Sequence, residues 1–212
     1  MRTQRTYKAL LLGLFLSLGT GVWAKGESPA SPAAQTRSSG GTSAVGIGGV
    51  PELVIGEERI EPGIIFIFEG AIKDTVYPLM DHLKEDSTNI HIEARANWAE
   101  ENIPEGTPPG GFVAYLAMTA EITNQATGYK TFIDLLPHIN LIDNLHYARN
   151  VTLPGKASDL YTVAFTVTAP TGKAYVSIHK DWSEQYGDAL MKDTKLIYKD
   201  VDFEQIAKAT RN

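Results

Sequence analysis

Cysteine is absent from this 212-residue chain, so no disulfide braces it and no thiolate is available to bind a metal. Any transition-metal site must be built from imidazole nitrogen and carboxylate oxygen. Long apolar runs are also missing. Residues 9–18 are apolar but fall well short of the ~20 needed to span a bilayer, and no later stretch is longer. An excess of basic charge is lacking too: 19 Lys and Arg stand against 25 Asp and Glu, a formal charge of −6. That balance argues against nucleic acid and anionic membranes as partners and mildly favours cations. There is no phosphate-binding glycine loop, no nucleotide fingerprint, no Ser-His-Asp order and no His-Glu-x-x-His helix motif. The adjacent Glu100 and Glu101 read as a solvated loop, because glycosidase carboxylates come from separate elements flanking a cleft.

What is present begins with an export pattern. Arg2, Arg5 and Lys8 precede the apolar run, and Val22-Trp23-Ala24 places small residues where a signal peptidase acts, predicting cleavage after Ala24. Thr3 and Gln4 separate the two arginines, which excludes a twin-arginine signal, and no cysteine follows to take a lipid. The expectation is a periplasmic product without a membrane anchor. Losing three basic side chains and no acidic ones takes the formal charge to −9. Residues 25–49, rich in Ser, Gly, Pro and Ala, contain too little apolar surface to repay ordering and predict a disordered linker. Residues 50–212 suit a single domain.

Within that domain the dominant hydrophobic period is two. Residues 112–123 alternate Phe112, Ala114, Leu116, Met118, Ala120 and Ile122 against a more polar face, predicting one long strand. Tyr161, Val163, Phe165 and Val167 alternate with Thr and Ala, and a turn at 169–172 predicts a hairpin into a strand over 174–178. Further strands are expected at 52–55, 64–68, 89–96, 130–136, 150–153 and 196–198. Short helical turns are expected at 76–84, weakened by Pro78, and at 202–209. The fold class is all-β, an antiparallel sandwich.

Five histidines lie on this frame. His91 and Glu93, two apart on a strand, share a face and can grip one cation together. His138 and His146 flank a segment whose Asn140, Asp143 and Asn144 favour turns, so the chain can fold back and bring both imidazoles together. His179 opens a polar segment after the 174–178 strand. Glu69 ends an apolar strand and is a candidate for a second metal site, weighed against a solvated strand-end charge. Asp143 orders the His146 loop or accepts a hydrogen bond behind it. His82, beside Asp81 in a polar stretch, reads as surface, and Asn150-Val151-Thr152 fits an N-glycosylation pattern that a bacterial context sets aside.

The ordered set Asn89-Ile90-His91-Ile92-Glu93-Ala94, Leu136-Pro137-His138, His146-Tyr147 and the late His179 resembles the bacterial periplasmic high-affinity iron-transport protein family, over about residues 64–203. The resemblance implies an immunoglobulin-like β-sandwich, a homodimer, an inner-membrane iron permease as partner, and a copper site cooperating with iron uptake. It also implies His91, Glu93, His138, His146 and His179 as metal ligands. The chain departs from the family pattern at Leu136-Pro137-His138, where relatives have Met-Pro-Met, and at Asp143-Asn144-Leu145-His146, where they have Asp-Gly-Pro-His. Imidazole in place of thioether weakens a preference for Cu(I) and suits Cu(II), Fe(II), Zn(II) or Mn(II). Two other classes stand beside a metal-binding protein for iron uptake: a metal oxidase acting on Fe(II), and a protein- or glycan-binding sandwich module whose histidines play no metal role.

Overall fold

Alternating hydrophobicity becomes strands throughout. The computed structural model describes residues 34–38, 43–45, 51–170 and 176–211. Its strands are β1 (Ala34–Ser38), β2 (Ser43–Val45), β3 (Pro51–Ile60), β4 (Ile64–Ala71), β5 (Ile90–Trp98), β6 (Ala117–Asn124), β7 (Lys130–Asn140), β8 (Asn144–Val151), β9 (Leu160–Thr168) and β10 (Thr194–Asp202). Two short helices, α1 (Lys180–Tyr186) and α2 (Glu204–Lys208), and a 3-10 turn at Glu85–Ser87 complete them. The chain divides into units Met1–Ser31 and Pro32–Asn212, and every described residue belongs to the second. Among these residues no helix is long and apolar enough to cross a membrane.

Hydrogen bonding runs in the order β1-β10-β9-β6-β7-β8-β5-β4-β3-β2. All pairings are antiparallel except β1 with β10. The all-β class is as expected, and the curled sheet is compatible with an immunoglobulin-like sandwich. β7 is the corner. Residues up to Leu135 pair with β6, whereas those from Leu136 onward pair with β8. Pro137, which has no N–H to give to a ladder, sits just past that change of partner.

Between the two halves lie Phe66, Phe68, Ile92, Ile122, Val163, Phe165 and Tyr198, all essentially inaccessible to solvent. Phe68 of β4 stacks on Phe165 of β9 with ring centroids 4.1 Å apart, a contact worth about 0.5–1.5 kcal/mol beyond area burial. Gly56, at a shift in the β3–β4 register, leaves room for Tyr198; a Cβ there would lie 2.2 Å from the Tyr198 ring. Glycine is required by this close approach.

Several sequence expectations change. The strand expected over 112–123 begins only at Ala117. Tyr147 Oη donates to Val113 O at 2.8 Å and accepts from Leu116 N at 3.1 Å, and Tyr115 takes a positive φ of 67°, so this stretch is tied down as a loop. Val176, Ser177 and Ile178 carry no strand; Ala174 and Tyr175 lie outside the described residues. Residues 76–84 form bends rather than helix, because the segment is fixed by side chains of β8, as described below. α2 falls inside the expected 202–209 turn. Of the segment expected to be disordered, Ala34–Ser38 and Ser43–Val45 are paired as outer strands, their backbones completing the edges of β10 and β3. The expected signal, residues 1–24, lies outside the described residues.

Candidate metal centre

Strand β5 explains why the site is buried. Its core face carries Ile90, Ile92, Ala94, Ala96 and Trp98, and the period of two sends His91 and Glu93 to the other face. That face would ordinarily be solvated, yet His91 is 3 % and Glu93 6 % exposed. The cover is the segment following β4. Asn150 Nδ2 donates to Asp74 O at 2.6 Å and Leu83 O at 3.1 Å, and Arg149 Nη2 donates to Asp81 O at 2.9 Å. These bonds strap residues 74–83 over the strand ends and wall one side of a half-open cavity of about 590 Å³, lined by Asp74, Tyr77, His82, His91, Glu93, His138 and His146 among others.

The register assembles the ligands. His138 and His146 are directly opposite one another in the β7–β8 pair, and Glu93 is opposite Ala148 in the β5–β8 pair, so all point to one face. The small Ala148 leaves room between them. Asn140, Asp143 and Asn144 shape the turn: Asn140 Oδ1 accepts from Ile142 N and Asp143 N, Asn140 Nδ2 donates to Asp143 Oδ2, and Asn144 takes a φ of 60°. The turn is tighter than expected from sequence, since β7 runs to Asn140 and β8 starts at Asn144. One ligand atom each from His91, His138 and His146 lies within 4.8 Å of the others.

Hydrogen bonds also set the tautomers. Asn150 Nδ2 is committed to two carbonyls, so its Oδ1 is the acceptor 2.7 Å from His91 Nδ1, which therefore carries the proton. His146 Nδ1 is 3.0 Å from Asn144 O and must likewise donate. Both rings thus present an unprotonated Nε2, and His138 Nε2 is buried with no hydrogen-bond partner among the described residues. His91 Nε2 lies 3.7 Å from Glu93 Oε1. Burial lowers His91 to about 4 and His138 to about 3, and also depresses His146. Burial, followed by the charges of Asp143 and Glu69, raises Glu93 to about 8. At neutral pH the cavity therefore holds neutral imidazoles and a protonated carboxyl. On meeting a cation this set gives up the Glu93 proton but none from its imidazoles, and its donors fit a borderline divalent metal.

The structure brings four of the five expected ligands together: His91, Glu93, His138 and His146. His179 stands elsewhere, exposed at the start of α1. Glu69 is neither solvated nor a free ligand: it is buried, and Arg95 Nε and Nη2 donate to it at 2.9 and 2.7 Å. His82, expected at the surface, is half-buried and lines the cavity, its ring edge-on to His138. Asn150 is the functional residue that sequence reasoning missed. Its glycosylation-like context concealed a fully buried amide that orients His91. Asn150→Ala is expected to weaken metal binding about 10- to 100-fold, the range for partners that orient a ligand, and to cost about 1–3 kcal/mol of stability by freeing the strap. Calorimetric titration and urea unfolding check the two effects separately.

An all-β domain that gathers imidazoles and a carboxyl on one buried sheet face belongs to the class of transition-metal-binding proteins. The chain is a member of the Fe2+ transport protein family, whose profile residues 49–205 match. A copper-bound variant of P19 from Campylobacter jejuni is similar in structure, at 23 % identity and TM-score 0.59, with the match covering 70 % of this chain and 95 % of that one. A copper-bound variant of FetP from uropathogenic Escherichia coli strain F11 is similar at 21 % identity and TM-score 0.56, covering 71 % and 98 %. FetP from the same strain, expressed recombinantly in the E. coli periplasm, matches at 21 % identity and TM-score 0.57, covering 70 % and 93 %. At these identities the likeness concerns the fold. A search of curated proteins found no match.

Proposed function

We propose that this chain is a periplasmic protein that binds copper or iron and supports high-affinity iron uptake through an inner-membrane permease. The observation that carries the reading is the convergence of His91, His138 and His146 within 4.8 Å, beside the buried Glu93 in one cavity. Family membership and the copper-bound state of the P19 and FetP relatives support it. His91, Glu93, His138 and His146 hold the ion, each imidazole giving a nitrogen lone pair. With imidazole at position 138, Cu(II) and Fe(II) suit the donor set better than Cu(I). Residues 1–24 serve as the export signal, cleaved after Ala24, and 25–49 lead into the 50–212 domain.

The working form is a homodimer. Tyr77, Leu79 and Met80 on the strap, with Ile139, Leu141 and Ile142 at the β7–β8 turn, leave large apolar side chains exposed on two segments that line the cavity. Within such a dimer the exposed His179 of a second copy is the fifth ligand. The test is calorimetric titration of the purified protein with Cu(I), Cu(II) and Fe(II), paired with sedimentation. Saturable binding of Cu(II) or Fe(II) by a dimer is expected. Absence of saturable binding by all three ions removes the reading, and Fe(II) oxidation beyond one equivalent replaces it with an oxidase.

A further inference from the structure

A fourth imidazole faces the cavity. His82 lies on the strap, outside every described strand, and its Nδ1 is buried with no hydrogen-bond partner among the described residues. His138 Nε2 is in the same condition. The two rings meet edge to face with centroids 4.9 Å apart, closer than His138 stands to His91 at 5.4 Å or to His146 at 5.8 Å. An unsatisfied buried nitrogen is destabilising, and two of them on neighbouring rings in one cavity point to a shared ligand that accepts lone pairs.

The placement of His82 is built. The carbonyls on either side of it are both tied to β8: Asp81 O accepts from Arg149, and Leu83 O accepts from Asn150, the residue that orients His91. His82 is thereby held against His138, on one side by Arg149 and on the other by the same Asn150 that orients His91. It is half-buried, whereas His91 and His146 are almost inaccessible, so it stands on the outer side of the cluster. Asp81, next to it, also lines the cavity and supplies negative charge.

We propose that His82 and His138 form a second, outer position for a divalent transition-metal ion, which loads the inner position made by His91, Glu93, His138 and His146. The proposal rests on the metal-binding reading above. His138 belongs to both positions, so an ion moves inward by exchanging the His82 nitrogen for those of His91 and His146 while remaining on His138. The step is ligand exchange coupled to loss of the Glu93 proton to solvent as that carboxylate joins the inner position. No electron is transferred.

Cu(II) is the probe, followed by stopped-flow loading, titration and nitrogen hyperfine structure in electron paramagnetic resonance. His82→Ala is expected to slow loading about tenfold while leaving the inner affinity nearly unchanged. His146→Ala is expected to keep a weaker site with two imidazole nitrogens, and His82→Ala combined with His146→Ala to weaken that site about tenfold further, an effect in the range of a lost supporting ligand. Loading at the wild-type rate in His82→Ala overturns the proposal, and that variant does not depend on how His146→Ala folds. Equal Cu(II) affinity of the His146→Ala variant and the double variant also overturns it. If Cu(II) binds wild type and a His91→Ala/His146→Ala variant equally, the metal-centre reading itself fails, a result distinct from the other two.

Discussion

Replacing both His91 and His146 by alanine is expected to abolish tight Cu(II) and Fe(II) binding, lowering affinity on the order of 10³-fold or more. Loss of a partner that merely orients a ligand costs 10- to 100-fold, so loss of two ligands should exceed that range. Two of the three converging imidazoles disappear, leaving His138 with Glu93 and the outer His82. The fold should survive. Asn150 Oδ1 still accepts from Asp74 N at 3.3 Å when His91 is gone, and the core on the opposite face of β5 is untouched. Calorimetry, with circular dichroism as the check on folding, decides the matter. Unchanged affinity in a folded variant would assign metal binding elsewhere and return the histidines to a sandwich module of another purpose.

The second large effect is a proton released on metal binding, with Glu93 as its source. Burial holds that carboxyl protonated up to about 8, whereas His91 and His138, at about 4 and 3, are already neutral at pH 7. A cation taking Glu93 as a ligand must expel its proton. Apparent affinity should therefore rise about tenfold per pH unit between 6 and 8 and level off above 8. Glu93→Gln should flatten that profile and remove the released proton, measured as the dependence of binding heat on buffer ionisation enthalpy. A steep profile persisting in Glu93→Gln would place the proton elsewhere. The metal-free protein carries the converse signature. Glu93 has a folded pKa raised from 4.5, so its contribution to stability is present below about 4.5 and lost as pH rises towards 8. His91 has a folded pKa lowered from 6.5, so its contribution is present above about 6.5 and lost as pH falls towards 4.

These two effects rest on residues whose roles were legible to different degrees. His91 and Glu93 were readable as a pair because the period of two is a local property of a strand. His138 and His146 were readable because Asn140, Asp143 and Asn144 encode a turn, and a turn between strands implies that its flanks meet. The order of β5 beside β8 beside β7, which carries the first pair to the second, depends on pairings some sixty residues apart and has no local signal. The same applies to His82. Its neighbours Asp81 and Lys84 give it a polar context, and only the strap bonds from Arg149 and Asn150 turn it inward. Glu69 shows the reverse error: a charge at the end of an apolar strand reads as solvated until Arg95, on the adjacent strand, is seen to satisfy it.

The sequence by itself determined the all-β class, the strand faces and the kinds of donor atom available, because alternation, turn chemistry and the absence of cysteine act over a few residues or over none. Tertiary structure alone decided which imidazoles share a cavity, which nitrogen each presents, and that the carboxyl beside them is held protonated. Those properties follow from strand order and from desolvation beneath the strap, and both arise only when distant segments pack together.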